Sequence, residues 1–217
     1  GTRKLLIGIV LAVITFWLFA NSLINVIPNL QTSFGSYLST ISIAVSLTAL
    51  FCGMFVVGAG SLADYFGRVR LTIIGLWLNI FGSLLIIVSD YIPLLLMGRA
   101  IQGLSAALIM PATLSLIKAY YHGDKRQRAL SFWSIGSWGG SGFASLFGGM
   151  IATFLSWRWI FVFSIIVSLI AVLLIKGTPE SKNQHASSRQ FDIVGLILLV
   201  VMMLSLNTVS YTHLTLP

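Results

Sequence analysis

An all-α membrane protein is the fold class this sequence predicts: a six-helix transmembrane bundle followed by the start of a seventh helix. Three observations predict it. Of the 217 residues, 57% are hydrophobic and only 8% are charged, whereas a soluble domain carries about 25% charged residues and needs them to cover its surface. Apolar runs recur along the chain at close to the roughly 20 residues that cross the hydrocarbon core of a bilayer. The basic residues gather in alternate connections between those runs, the pattern that sets topology in lipid.

The runs are Leu5–Ile27, Leu38–Gly60, Leu71–Ser89, Pro93–Leu116, Ala129–Phe154, Trp157–Ile175 and Ile193–Asn207. Backbone N–H and C=O groups inside lipid must bond within their own segment, so the runs are helices. Barrel strands would alternate apolar and polar residues over about ten positions, and no such alternation is found. The connections assigned to one side carry Arg3, Lys4, Arg68, Arg70, Lys118, Lys125, Arg126, Arg128, Lys176, Lys182 and Arg189, while those assigned to the other carry Arg158. Positive charge stays on the cytoplasmic side. The expected topology is multi-pass in the plasma (cytoplasmic) membrane with the N-terminus in the cytoplasm.

The long polar stretch after the sixth run, with Gly177-Thr178-Pro179 and Ser187-Ser188, reads as a linker. The domain reading is therefore a bundle over 1–176, a cytoplasmic linker over 177–190 and the start of helix seven over 191–207. The last residues read as foreign. Val209 to Pro217 back-translates to GTC TCT TAT ACA CAT CTG ACG CTG CCG, which resembles a transposase-type sequencing adapter. Residues 208–217 are expected to be such a translation, the alternative being an ordinary extracellular loop.

Several function classes drop out. A net charge of +8 would suggest nucleic acid on a soluble chain, but here the cations sit at helix ends, and no nucleic-acid partner is expected. The single cysteine, Cys52, lies in an apolar run and reads as a small hydrophobe. The histidines His122, His185 and His213 show no metal-ligand spacing. No nucleophile–base set or phosphate loop is present, so neither an enzyme nor a cofactor is expected.

Three motifs carry mechanism. After the second run comes Gly60-Ser61-Leu62-Ala63-Asp64-Tyr65-Phe66-Gly67-Arg68-Val69-Arg70, read as a charged loop. Glycine permits a tight turn there, Asp64 can face a helix N-terminus, and the arginines can pair with acids or lipid phosphates. In the fourth run, Arg99 is an intramembrane charge, with Gln102 and Ala106 on its helical face. That face reads as cavity-lining, and the alternative is an arginine snorkelling outward about one turn from the helix end. The fifth run holds two rows of small residues at spacing four, Gly136, Gly140, Ala144, Gly148 and Ser137, Ser141, Ser145, Gly149, which suit close helix packing.

These motifs resemble those of the major facilitator superfamily. The first is similar to its G-x-L-a-D-r-x-G-r-[kr] signature, with Tyr65 and Val69 in place of basic residues. The second is similar to l-x-x-x-R-x-x-q-G. The third is similar to the antiporter signature g-x-x-x-G-P-x-x-G-G, with Ala144-Ser145 replacing Gly-Pro. The short linker and the Phe191-Asp192-Ile193-Val194-Gly195 opening of the seventh run resemble the fourteen-helix drug:proton antiporters. Asp192 there is either a proton carrier or an acid stabilised at a helix N-terminus.

The resemblance implies the N-terminal half of such a transporter. It implies a conformational and proton-coupling role for Arg99 and Gln102, and a cytoplasmic gate at Gly60, Asp64, Gly67, Arg68 and Arg70. It also implies an antiporter role for Gly136, Gly140, Ala144, Ser145, Gly148 and Gly149. No acid lies deep in the first six runs, so the proton-binding carboxylate is expected outside this sequence. Asn21, Asn25 and Asn79, with Trp17 and Trp138, are the candidates for lining a substrate cavity.

The expected function is multidrug efflux: proton-coupled antiport of amphipathic, quinolone-like drugs. The expected partners are those drugs, protons and lipid, with the full-length protein a monomer. The alternative is an uptake transporter or facilitator for a small solute on the same fold, which the lost Gly-Pro pair leaves open. Reading the gene past the Asn207 codon in an independent clone is expected to return a sequence unlike residues 208–217. The same nine-residue tail would remove the adapter reading.

Overall fold

A computed structural model describes residues 1–20, 22–181 and 193–214. Asn21, the linker from 182 to 190, Asp192 and residues 215–217 lie outside the described residues, as do the side chains of Ser145 and of 210–214. The described residues are helical throughout, with short connections. In chain order they form α1 (Arg3–Ile14), α2 (Ile27–Phe34), α3 (Leu38–Phe66), α4 (Arg68–Ile87), α5 (Ile92–Tyr120), α6 (Gly123–Ser134), α7 (Gly140–Phe154), α8 (Trp159–Ile175) and α9 (Ile193–Leu214). A π-helical segment, Thr15–Ala20, and a 3-10 turn, Leu23–Val26, connect α1 to α2. A second π-helical segment, Ile135–Gly139, joins α6 to α7.

Among the described residues, four helical spans are long and apolar enough to cross a membrane: Arg3–Phe34, Leu38–Phe66, Arg68–Ile87 and Ile92–Tyr120. Several elements outrun their apolar cores. At 29 residues each, α3 and α5 reach about 43 Å at roughly 1.5 Å per residue, beyond the roughly 30 Å of hydrocarbon. The charge limits in the sequence mark the edge of the apolar slab. The helices continue past it because their backbone bonds do not depend on lipid.

The helices pack in the order α3, α5, α4, α8, α1, with α6 and α7 closing against α1, and α9 lies against α3. One apolar cluster joins Leu5, Ile9, Val69, Leu76, Ile109, Leu116 and Ile175 at one end. A second joins Leu23, Leu30, Ile41, Ile86, Leu95, Trp157 and Phe161 at the other. Large apolar side chains on α4 (Ile74, Trp77, Phe81) and α8 (Ile166, Leu169, Leu173) are exposed. Such an outer face suits acyl chains rather than water.

Since lipid supplies little hydrophobic drive between helices, small residues and buried polar bonds hold them together. Asn79 of α4 is one such bond. It is enclosed, and its amide donates to Ser164 Oγ at 2.9 Å and Ser168 Oγ at 2.8 Å on α8. The expectation that Asn79 lines a cavity is thereby corrected: its side chain is spent on holding α4 to α8.

Arg158, the cation on the side with few charges, is also tied down. Its guanidinium donates to the carbonyls of Ile87 at 3.0 Å and Ser89 at 2.9 Å, capping the end of α4. It also lies 4.7 Å from the Trp157 ring centroid. Carbonyls left over at a helix C-terminus favour a cation there, which gives this exception to the charge pattern a structural reason.

The rows of small residues in the fifth run do not share one contact. A β-carbon at Gly136 would lie 3.1 Å from Val10 Cγ1, at Gly140 3.2 Å from Trp17 Cβ, and at Gly148 2.9 Å from the Ser22 carbonyl oxygen. This row, with buried Ala144, is the seam between α7 and the first span. Ser22 Oγ donates across it to the Ala144 carbonyl at 3.1 Å. In the adjacent row Ser137 is buried, but Gly149 has open space beside it. Gly148→Val should therefore lower the thermal stability of the full-length parent in detergent by several degrees, as overpacking costs about 1–3 kcal/mol. Gly142→Val, where a β-carbon meets nothing within 4 Å, should change it little. Equal shifts would contradict the seam.

Candidate functional site

Arg99 sits in the interior of the bundle. α5 begins at Ile92, so Arg99 is about two turns in rather than the one turn expected. It is 1% exposed. Burying a guanidinium is costly unless oxygens surround it. Here Nε donates to the Ala44 carbonyl at 3.0 Å, one terminal nitrogen to Gln102 Oε1 at 3.0 Å, and the other to the Val45 carbonyl at 3.2 Å. Gln102 Nε2 then donates to Ser83 Oγ on α4 at 3.0 Å. Thr48 Oγ1 on α3 donates back to the Arg99 carbonyl at 3.0 Å. The network thus runs α3–α5–α4.

Glycines let the three helices close around these polar groups. A β-carbon at Gly103 would lie 2.5 Å from the Thr48 carbonyl oxygen, and one at Gly82 would lie 2.9 Å from the Gly98 carbonyl oxygen. The expectation of a cavity-lining face is corrected: Arg99, Gln102 and Ala106 are packed between helices, and the alternative of a snorkelling Arg99 is not met either. The sequence showed that the three share a face, but only the packing shows what covers it.

The motif from Gly60 to Arg70 is a helix end rather than a loop. Gly60 to Phe66 continue α3, Arg68 opens α4, and Gly67 alone separates them. Gly67 has φ +117°, in the region that disfavours any side chain. Asp64 does not face the α4 N-terminus, as was expected. Its Oδ1 accepts from Arg68 at 2.8 Å, one turn on. Gly60 meets Pro111 of α5 at 3.6 Å from a built β-carbon, and Arg70 is exposed.

The group that occupies the α4 N-terminus is Glu180, which the sequence reading left in the linker. Its two carboxylate oxygens accept from Val69 N at 2.9 Å and Arg70 N at 3.0 Å. Free N–H groups and the positive end of the helix dipole make this a favourable place for an anion. A β-carbon at Gly67 would lie 2.5 Å from the Glu180 carboxyl carbon. Arg68 also donates to Ser181 Oγ at 3.3 Å, and the Tyr120 hydroxyl donates to the Pro179 carbonyl. The segment after α8 is thus docked on the α3–α4 junction and the end of α5. The available signal was a lone acid three residues after the Gly177 break, but its partner lies 111 residues away.

The aromatic candidates lie elsewhere. Trp17 and Trp138 come from the two π-helical segments, and their rings stack with centroids 6.1 Å apart and planes 22° apart. Asn25 is exposed on the 3-10 turn. The structure therefore brings Trp17 and Trp138 together, keeps Asn79 and Arg99 away from them in the interior, and leaves Asn25 apart.

Glu180→Ala and Gly67→Ala should each loosen the α3–α4 junction. Amide exchange at Val69 and Arg70 should rise in the full-length parent by at least about tenfold, since each amide loses a charge-assisted hydrogen bond of roughly 1.5–3 kcal/mol. Unchanged exchange in Glu180→Ala would mean that the cap contributes nothing.

The comparisons with known proteins agree with this architecture. A family model described as Major Facilitator Superfamily matches residues 5–216. The quinolone resistance protein NorB of Staphylococcus aureus strain Newman is 68% identical over 207 residues, 95% of this chain and 45% of that protein. The NorB of strain COL matches to the same extent. This chain spans a little under half the length of those relatives. Among solved structures, a D-xylose-proton symporter superposes with TM-score 0.71 at 15% identity, over 96% of this chain and 52% of that one. A peptide transporter superposes with TM-score 0.70 at 16% identity, over 96% and 44%. With its motifs, its helix packing and this match along nearly its whole length, the chain belongs to the major facilitator superfamily.

Proposed function

We propose that this chain is the N-terminal bundle of a multidrug exporter that exchanges protons for amphipathic, quinolone-like drugs. The observation that carries the reading is the 68% identity to quinolone resistance proteins across 95% of the chain. Since the chain covers 45% of those relatives, the transporting unit in this reading includes the remaining span. The basic end, with Arg68, Lys118 and Lys176, faces the cytoplasm by the positive-inside rule. The two bundles rock about a central site, opening it to each side in turn.

In this mechanism the bundle moves as one body, and the Arg99–Gln102 network keeps it so by locking α3, α5 and α4 together. Arg99 also supplies a fixed positive charge near the membrane interior. Such a charge favours the ionised form of a nearby carboxylate, so movement of a carboxylate relative to Arg99 couples protonation to conformation. That carboxylate lies in the remaining span. The α3–α4 junction, with Gly60, Asp64, Gly67, Arg68 and Arg70, is the cytoplasmic gate. The row Gly136, Gly140, Ala144 and Gly148 fastens the fifth span to the first, which leaves Ser145 and Gly149 for the antiporter role. Trp17 and Trp138, with Asn21 and Asn25, are the substrate contacts. The working unit is a monomer.

Everted vesicles carrying the full-length parent test the reading. Proton-gradient-dependent uptake of a fluoroquinolone or ethidium is expected, and it should collapse with an uncoupler. Arg99→Lys should cut that uptake at least tenfold, because an ammonium cannot span the three acceptors that the guanidinium fork reaches. Absence of drug accumulation, together with solute uptake by intact cells, would overturn the export reading.

A further inference from the structure

Among the described residues there are two π-helical segments, and they meet each other. Thr15–Ala20 lies in the first span and Ile135–Gly139 in the fifth, in mutual contact. A π segment is rare within a helix and is frequently found at functional sites. Each of these carries one tryptophan of the stacked pair, Trp17 and Trp138. The seam between the helices brings the rings together, since Gly140 sits against Trp17 Cβ. Phe16 packs edge-on to Trp17 at 5.1 Å.

Trp17 has an unmet need. Three of the chain's tryptophans are not exposed: Trp17, Trp133 and Trp157. Trp133 Nε1 donates to Thr113 Oγ1 at 3.2 Å, and Trp157 Nε1 donates to Ser33 Oγ at 3.1 Å. Trp17 Nε1 is buried and has no acceptor among the described residues. Indole N–H groups out of water almost always find a partner. An orphan donor beside an accessible ring is therefore a place where an incoming oxygen gains a bond that the free protein lacks.

One ring of the pair is also open to its surroundings. Trp138 lies in the π-helical segment before α7. It is 74% exposed. The same stretch of chain exposes Ile135, Phe143 and Leu146 as well as Trp138, with Ser141 and Gly149 half-buried.

We propose that Trp17 and Trp138 form a two-part binding site for planar aromatic compounds that carry an oxygen acceptor. The guest's ring stacks on Trp138, and its carboxylate or keto oxygen accepts the Trp17 N–H as the Trp138 ring turns aside. This rests on the export reading and adds the chemical feature that the site selects. A planar cation such as ethidium uses the aromatic faces alone. A fluoroquinolone such as norfloxacin uses the faces and the N–H.

The test measures binding of norfloxacin and of ethidium to the purified full-length parent by equilibrium dialysis. Trp17→Phe keeps an aromatic ring and removes the donor. It should weaken norfloxacin about 3–10-fold, as expected for one hydrogen bond, and leave ethidium within about twofold of the parent. Trp138→Ala should weaken both about 3–10-fold, and Trp138→Phe should restore most of that loss, as expected for stacking. If Trp17→Phe shifts both ligands equally, or neither, the proposal is overturned; a resident water on the N–H would give the second result. That failure is distinct from failure of the export reading, in which the unsubstituted parent accumulates neither drug in everted vesicles.

Discussion

A guanidinium held away from water must be ringed by oxygen, and Arg99 meets that demand with the backbone of a neighbouring helix. Its bonds to the Ala44 and Val45 carbonyls fix how α5 lies on α3, and Gln102 carries the constraint to Ser83 on α4. The glycines at 82, 98 and 103 follow from it, because the polar groups reach one another only if the backbones nearly touch. Small residues at such crossings are the usual means of packing helices that lipid does not push together. Around this centre, α8 is fastened through Asn79 and the two serines it reaches.

The basic end is built on a second charge problem. The first turn of α4 leaves N–H groups without partners, and Glu180 supplies them with a carboxylate. Gly67 serves two needs at once: the chain turns there with positive φ, and a side chain would occupy the volume of the Glu180 carboxyl. The Asp64–Arg68 pair closes the same corner from the other side. The junction between α3 and α4 is therefore coupled to the segment that leaves α8, so displacement of that segment acts directly on the proposed gate.

The first and fifth spans share a different logic. Their seam is made of Gly136, Gly140, Ala144 and Gly148 meeting Val10, Trp17 and Ser22, with little side chain between the backbones. Both spans are irregular at the same level, where Trp17 and Trp138 meet. Where α3, α4 and α5 are tied by polar bonds, these two spans are held by shape. That leaves room for an aromatic pair in which the Trp17 N–H has no acceptor among the described residues.

The order of the helical runs and the presence of Arg99 with Gln102 on one face were legible in the sequence. Each follows from local rules: apolar length against bilayer thickness, and the 3.6-residue period. The boundaries were less legible, because α3 runs on to Phe66 and α5 to Tyr120, past their apolar cores. Partners distant in the chain were not legible at all. Composition treats Asn79 and Trp17 alike as polar-tipped residues in apolar runs. Packing gives the first two hydroxyls and the second no acceptor among the described residues. The amino-acid sequence by itself determined that the chain threads lipid as helices, since backbone bonds there have nowhere else to go. Only the tertiary structure decided that Arg99 faces α3, that Glu180 caps α4 and that two tryptophans meet, because each depends on atoms brought together from segments dozens of residues apart.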